Sequence, residues 1–248
     1  MNFRIALLTA AVFGLLTSIA TPVQAQLFQI TLENRTTPGA NNGQPFSPPV
    51  FVTHDETLSL WTVGEAASVP VQQVAEEGDN FPLLSDLNTQ LGTGVLSIVT
   101  PTGGPLLPGE SVTFTIAADS SRPFLSTIWM LGRTNDGFSG LTGLNLLTLG
   151  AGTNTIDLVS LDAGTEVNNE SAAFLPALGG VFNDPEGGVV TTPHPGILGI
   201  GDAPTSWNWE EPVARLTISQ VAAPEPGTLA LLTVGGLCTA LVLRRRTR

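Results

Sequence analysis

Cysteine is almost missing from this 248-residue chain, and the one present, Cys238, sits in an apolar run near the C-terminus. The body of the chain therefore has no disulfide, and core packing, together with any bound metal, must hold it. Positive charge is nearly as scarce. Between residues 26 and 223 four arginines stand against twenty acids, a formal charge of −16. Such a body does not bind nucleic acid by neutralising phosphates, but it suits divalent cations. The two histidines, His54 and His194, are far apart and have no cysteines near them, so the ligand spacing of a zinc site is missing. Several motifs are absent as well. No G-x-S-x-G elbow occurs, and His54 lies next to Asp55, too close in sequence for a nucleophilic relay. No D-x-[DN]-x-[DN]-G calcium loop occurs either. An enzyme is not expected, and no catalytic residue is assigned. A secreted hydrolase with paired carboxylates is the lesser alternative, since acids are plentiful.

Both ends of the chain carry targeting patterns. Residues 1–25 have an early Arg4, an apolar run from Ile5 to Ala20 and then Pro22-Val23-Gln24-Ala25. They read as a secretory signal peptide cut between Ala25 and Gln26. At the other end, Pro224-Glu225-Pro226 precedes an apolar run from Gly227 to Leu243, closed by Arg244-Arg245-Arg246-Thr247-Arg248. A run of that length barely crosses a hydrocarbon core of ~30 Å, and the arginines would stay on the cytoplasmic side. Residues 224–248 thus resemble the PEP-CTERM sorting signal of Gram-negative bacteria. That resemblance implies a short transmembrane segment, processing by an exosortase-type enzyme and delivery to the cell surface or exopolysaccharide matrix. Residues 26–223 remain, enough for one sizeable β domain.

Within that body, Phe28, Ile30 and Leu32 alternate with polar residues, as do Val112, Phe114 and Ile116, and Ala214, Leu216 and Ile218. Each set predicts a half-buried strand. Val95–Val99 and Leu125–Leu131 are nearly all apolar and predict buried strands, the second of them central. Val50–Val52, Leu58–Val63, Leu144–Leu149 and Ile156–Leu161 predict further extended pieces. One short helix is expected from Leu83, Leu87 and Leu91, with Pro82 at its start and Gly92 after its end. Residues 36–49 and 172–203 are rich in Gly and Pro and read as loops. Short strands, frequent turns and little helix argue for an antiparallel β-sandwich of about eight strands.

Two polar islands carry most of the functional information: Thr134-Asn135-Asp136-Gly137 and Asp162-Ala163-Gly164-Thr165-Glu166. Each puts an acid in a glycine turn directly after an apolar run, where it can point out of the end of a sheet. With Gly64-Glu65-Ala66-Ala67-Ser68, Val74-Ala75-Glu76-Glu77-Gly78 and Glu211-Pro212-Val213-Ala214-Arg215-Leu216-Thr217, they resemble the spondin N-terminal domain family in its secreted bacterial form. The resemblance implies a sandwich, adhesion or matrix recognition without catalysis, and a calcium ion at one end. It puts the loop ligands at Asp136 and Asp162, a third on the preceding strand at Asp119, and a further oxygen donor at Glu166. The chain departs from animal members, which have Ser-Pro-Asp-Trp at Thr134-Asn135-Asp136-Gly137 and cysteines absent here. The extracellular partner, protein or polysaccharide, is not specified. An alternative carbohydrate site rests on Trp207 and Trp209, which would face one side of a strand.

Overall fold

A computed structural model describes residues 24–39 and 41–221. The expected signal peptide and sorting segment lie almost wholly outside the described residues. Among those, no helix is long and apolar enough to cross a membrane.

The alternating segments form β1 (Gln26–Asn34), β4 (Ser111–Ala118), β7 (Thr153–Leu158) and β9 (Ala214–Gln220). They join in a four-stranded antiparallel sheet in the order β4-β1-β9-β7. The more uniformly apolar segments form β2 (Val50–His54), β3 (Val95–Val99) and β5 (Phe124–Met130). With β6 (Gly137–Asn145) and β8 (Ser160–Asp162) they make a five-stranded antiparallel sheet, ordered β3-β2-β5-β6-β8. The expected all-β sandwich is thus the observed fold, with nine strands among the described residues, and β5 is central as its apolar sequence implies.

Between the sheets pack Ile30, Leu32, Phe51, Leu125, Trp129, Leu216 and Ile218. The opposite face of the five-stranded sheet is also covered. Val50, Val52, Ile128 and Phe138 meet two helices there, α1 (Val69–Glu77) and α2 (Phe81–Thr89). Burial on both sides explains why β2 is buried at every position and shows no alternation.

Helix α2 is the expected one, with Pro82 in its first turn and Leu83 and Leu87 buried. Leu91 lies beyond its end and is 45% exposed. Helix α1 was not expected. It starts after the extended Ser68, has a proline in its first turn and stops at the left-handed Gly78. Its Val71, Val74 and Ala75 recur at helical spacing and face the sheet.

The register fixes the two ends of the sandwich. Gln26 pairs with Ala118, and Gln220 lies opposite Phe28. The chain therefore enters and leaves its strands at one end. The β5–β6 connection and the end of β8 lie at the other.

Candidate functional site

Strand β5 delivers the first polar island. Thr134 Oγ1 donates to Leu131 O at 2.7 Å and accepts Gly137 N–H at 2.9 Å, which closes a tight turn with Asp136 inside it. Strand β8 delivers the second, because Gly137 pairs directly with Asp162. The Asp162 Oδ1 atom accepts Gly164 N–H at 2.7 Å. Gly164 has φ +66°, and a Cβ there would come within 2.6 Å of the Val189 backbone, so glycine is required.

The two aspartates consequently meet. Ligating atoms of Asp136, Asp162 and His194 lie within 4.8 Å of one another. Asp136 is fully buried. Its Oδ2 accepts the N–H groups of Thr165 (2.7 Å) and Glu166 (3.0 Å), whereas its Oδ1 is buried with no hydrogen-bond partner among the described residues. Burial, and then the charge of Asp162, push the Asp136 carboxyl up to about 6 against those hydrogen bonds. Asp162 Oδ2 accepts Asn168 Nδ2–H at 2.6 Å.

His194 walls this group without being set as a ligand. A backbone N–H can only donate, so the 3.0 Å contact from Gly196 N makes His194 Nδ1 an acceptor. The remaining ring proton then sits on Nε2, facing Asn168 Oδ1 at 3.0 Å. Burial drives the ring's pKa down to about 4 against the pull of Asp162, so the imidazole is neutral at pH 7. The donors left facing the cluster are carboxylate oxygens, which suit a hard cation better than zinc.

The other expected ligands fall elsewhere. Glu166 touches Asp136 through its backbone N–H, and it is not one of the three grouped side chains. Burial, and then the charge of Glu76 on α1, push its carboxyl up to about 7. Asp119 requires a correction. It closes the β4–β5 turn at the opposite end of β5, a strand's length of roughly 20 Å away. There its carboxylate binds Arg122 at 2.7 Å and accepts the N–H groups of Ser121 and Arg122. Burial alone would raise that carboxyl, but Arg122 and these N–H groups outweigh it and hold it below the usual range.

The tryptophan pair needs a correction too. Trp207 ends a 3-10 turn (Thr205–Trp207) rather than sitting in a strand. It is buried against Leu175, Ile197 and Ala203, with the Arg133 guanidinium 5.0 Å over its ring. Trp209 is half-buried, lies 5.5 Å from the His194 ring and donates to Glu211 at 3.1 Å. The two rings do not form an exposed platform.

Sequence reasoning missed His194 and the role of Asn168. The 172–203 loop carries no periodicity, and only the folded chain brings His194 back to β8, where its N–H donates to Ser160 Oγ at 3.1 Å.

Two known families match the chain. The PEP-CTERM protein-sorting motif matches residues 222–246. It makes this a secreted, cell-surface protein of a Gram-negative bacterium and implies processing by an exosortase-type enzyme. Nothing among curated proteins matches the chain. The Spondin_N model matches residues 34–173, from the last residue of β1 through both polar islands and short of His194. With more than half of its length matched, the chain belongs to the Spondin_N family.

Proposed function

We propose that this protein is a non-catalytic binding module of the bacterial surface matrix, with one calcium ion bracing its outer loop end. A single observation carries the calcium reading. Asp136 Oδ1 is a fully buried carboxylate oxygen without a partner among the described residues, beside a second buried carboxylate. An unpaired buried carboxylate is costly, and the neighbouring Asp162 increases that cost. A hard divalent cation would remove both penalties. Asp136 and Asp162 would hold it, and Asn168, whose Nδ2–H binds Asp162 Oδ2, would steady the second carboxylate. Bound there, the ion would supply charge neutralisation and loop ordering. The protein's own residues hold the site in shape: Thr134 closes the first turn, Gly164 lets the second approach Val189, and the Thr165 and Glu166 amides aim Asp136.

Family and address are what support the matrix-binding reading. The chain leaves β9 at the end opposite the aspartates, so a sorting segment attached there would present the loop end away from the membrane.

Calorimetric titration of the secreted protein with calcium is the test of the site. Binding that disappears in Asp136→Asn and Asp162→Asn supports it, and no heat at millimolar calcium removes it. For the matrix reading, the protein is expected to partition with the native extracellular matrix after gentle washing. Recovery in the free medium alone would overturn that part.

A further inference from the structure

On the face that the four-stranded sheet turns to solvent, the two middle rows are built mostly from hydroxyls, and an apolar row of Ala117, Leu27 and Val221 borders them on one side. Inward and outward residues alternate along its strands, and the antiparallel registers line the outward ones up in rows. One row reads Thr113, Thr31, Thr217, Thr155 across all four strands. Its neighbour reads Thr115, Gln29, Ser219, Thr153. Every edge member of the two rows is exposed, and the inner members are exposed or half-buried. The Thr31 and Thr113 hydroxyls bond each other at 2.7 Å.

A third row holds the only charges of the array, and these are compensated. Arg215 binds Asp157 through contacts of 2.7 and 3.0 Å, and Arg35, at the end of β1, reaches Glu33 at 3.5 Å. Two of the four body arginines thus neutralise this one face, although the body as a whole carries −16. Strand propensity favours threonine on a pleated surface. It does not account for a neutral patch in a chain this acidic.

We propose that this face binds a neutral polysaccharide whose chain lies across the strands along the threonine rows. The inference rests on the matrix-binding reading above and names its ligand class. Hydroxyls recur about every 4.8 Å across the sheet, close to the length of one sugar in an extended glycan. Each threonine both donates and accepts, as sugar hydroxyls do. An anionic polymer would be repelled by the body, and a cationic protein would find no charge here to engage. Each contact replaces a hydrogen bond to water and is individually weak, so retention comes from several contacts and many copies acting together.

The test is retention of the purified secreted protein on microcrystalline cellulose, with an alginate gel as the anionic counterpart. Wild type is expected to bind cellulose with or without chelator and to pass through alginate. The Thr31→Val, Thr217→Val double variant keeps strand propensity and should lose roughly tenfold in retention, as for two hydrogen bonds of modest net worth, with an unchanged melting temperature. If that variant unfolds, Thr113→Glu with Thr155→Glu on the exposed edges should produce the same loss. Absence of binding to cellulose, preference for alginate, or full retention by a folded variant would each overturn the proposal. Should cellulose binding fail while the protein still partitions with its native matrix, only the sheet assignment falls. Loss of matrix partitioning by the wild type would remove the underlying reading as well.

Discussion

The two sheets differ in how they are covered: the centre of the five-stranded sheet is buried on both faces and the four-stranded sheet on only one. The five-stranded sheet lies between the inter-sheet core and the helices, so β2 has no exposed position. The four-stranded sheet alternates core and solvent along every strand. Two kinds of surface result. The doubly buried sheet is held on both sides and can fix loop carboxylates at its end, as β6 and β8 do with Asp136 and Asp162. The singly buried sheet has a free outer face that can change without touching a core.

The sharpest way to break this contrast is Trp129→Ala. The indole is fully buried between the sheets and stacks on Phe46 at 5.2 Å. Truncating a core tryptophan costs about 3–5 kcal/mol, which for a domain of this size lowers the melting temperature by roughly 6–20 °C. Thermal unfolding followed by circular dichroism checks it. A shift of only a degree or two would mean that the inter-sheet core does not dominate.

The same contrast governs how much of the fold the sequence revealed. Strands β1, β4 and β9 were legible from Phe28, Val112 and Leu216 with their alternating neighbours, because one face is wet. The doubly buried sheet was harder to read. Strand β6 (Gly137–Asn145) was expected further on, at Leu144–Leu149, because its three glycines carry no apolar pattern. Gly140 is needed there, since a Cβ would come within 2.0 Å of Thr127 O. The Leu144–Leu149 stretch instead ends β6 and turns into a 3-10 helix (Leu146–Thr148). Helix α1 hid behind three valines, whose β-branching favours strands. Leu58–Val63, expected to be extended, is irregular, and its Leu60 and Trp61 are buried by the helix-side core rather than by strand pairing.

The second-largest effect concerns pH in the absence of calcium. Asp136 and Glu166 are pushed up to about 6 and about 7. The folded state therefore holds protons that the unfolded chain releases near pH 4. Their contribution is fully present below that pH and is lost as pH rises through 6 and 7. For Asp136 alone it is on the order of 3 kcal/mol. In chelator, stability should fall between about pH 4 and about pH 7. Asp136→Asn should flatten the lower part of that window and Glu166→Gln the upper part. A chelated wild-type protein whose urea midpoint stays constant from about pH 4 to about pH 7 would contradict the prediction.

Calcium comes third. With a Kd of about 10⁻⁴ M and calcium at about 2 mM, linkage adds roughly 1.8 kcal/mol, or about 4–7 °C. The shift should grow from pH 5 to pH 8, as the site sheds its protons, and vanish in Asp136→Asn and Asp162→Asn. Scanning fluorimetry with and without chelator measures it. An equal shift in the aspartate variants would move the ion elsewhere.

The aspartate pair was legible because each acid sits in a glycine turn after an apolar run, a local signal that survives folding unchanged. Asp119 misled for the converse reason. It also follows an apolar strand, but successive antiparallel strands deliver their ends alternately to opposite ends of the sandwich, and β4 ends at the wrong one. Glu166 was placed in the right loop, yet its backbone rather than its side chain meets Asp136. Trp207 and Trp209 suggested a strand by their spacing, but no partner strand reaches them, and apolar packing in the loop claims the first ring.

The smallest expected effect lies on the free face. Thr217 stands in the middle of its row, half-buried between Thr31 and Thr155. Valine has the same shape and at least as strong a strand preference, and the hydroxyl of Thr217 points away from the core formed by Leu216 and Ile218. Thr217→Val should thus change stability by less than about 0.5 kcal/mol, against several for Trp129→Ala. Denaturant unfolding of the two variants side by side gives the ratio directly. A loss at Thr217 comparable to that at Trp129 would show that the outer face is as tightly packed as the inner one. In that case the face would be an interface already occupied within the folded protein, and the contrast between the two sheets would fail.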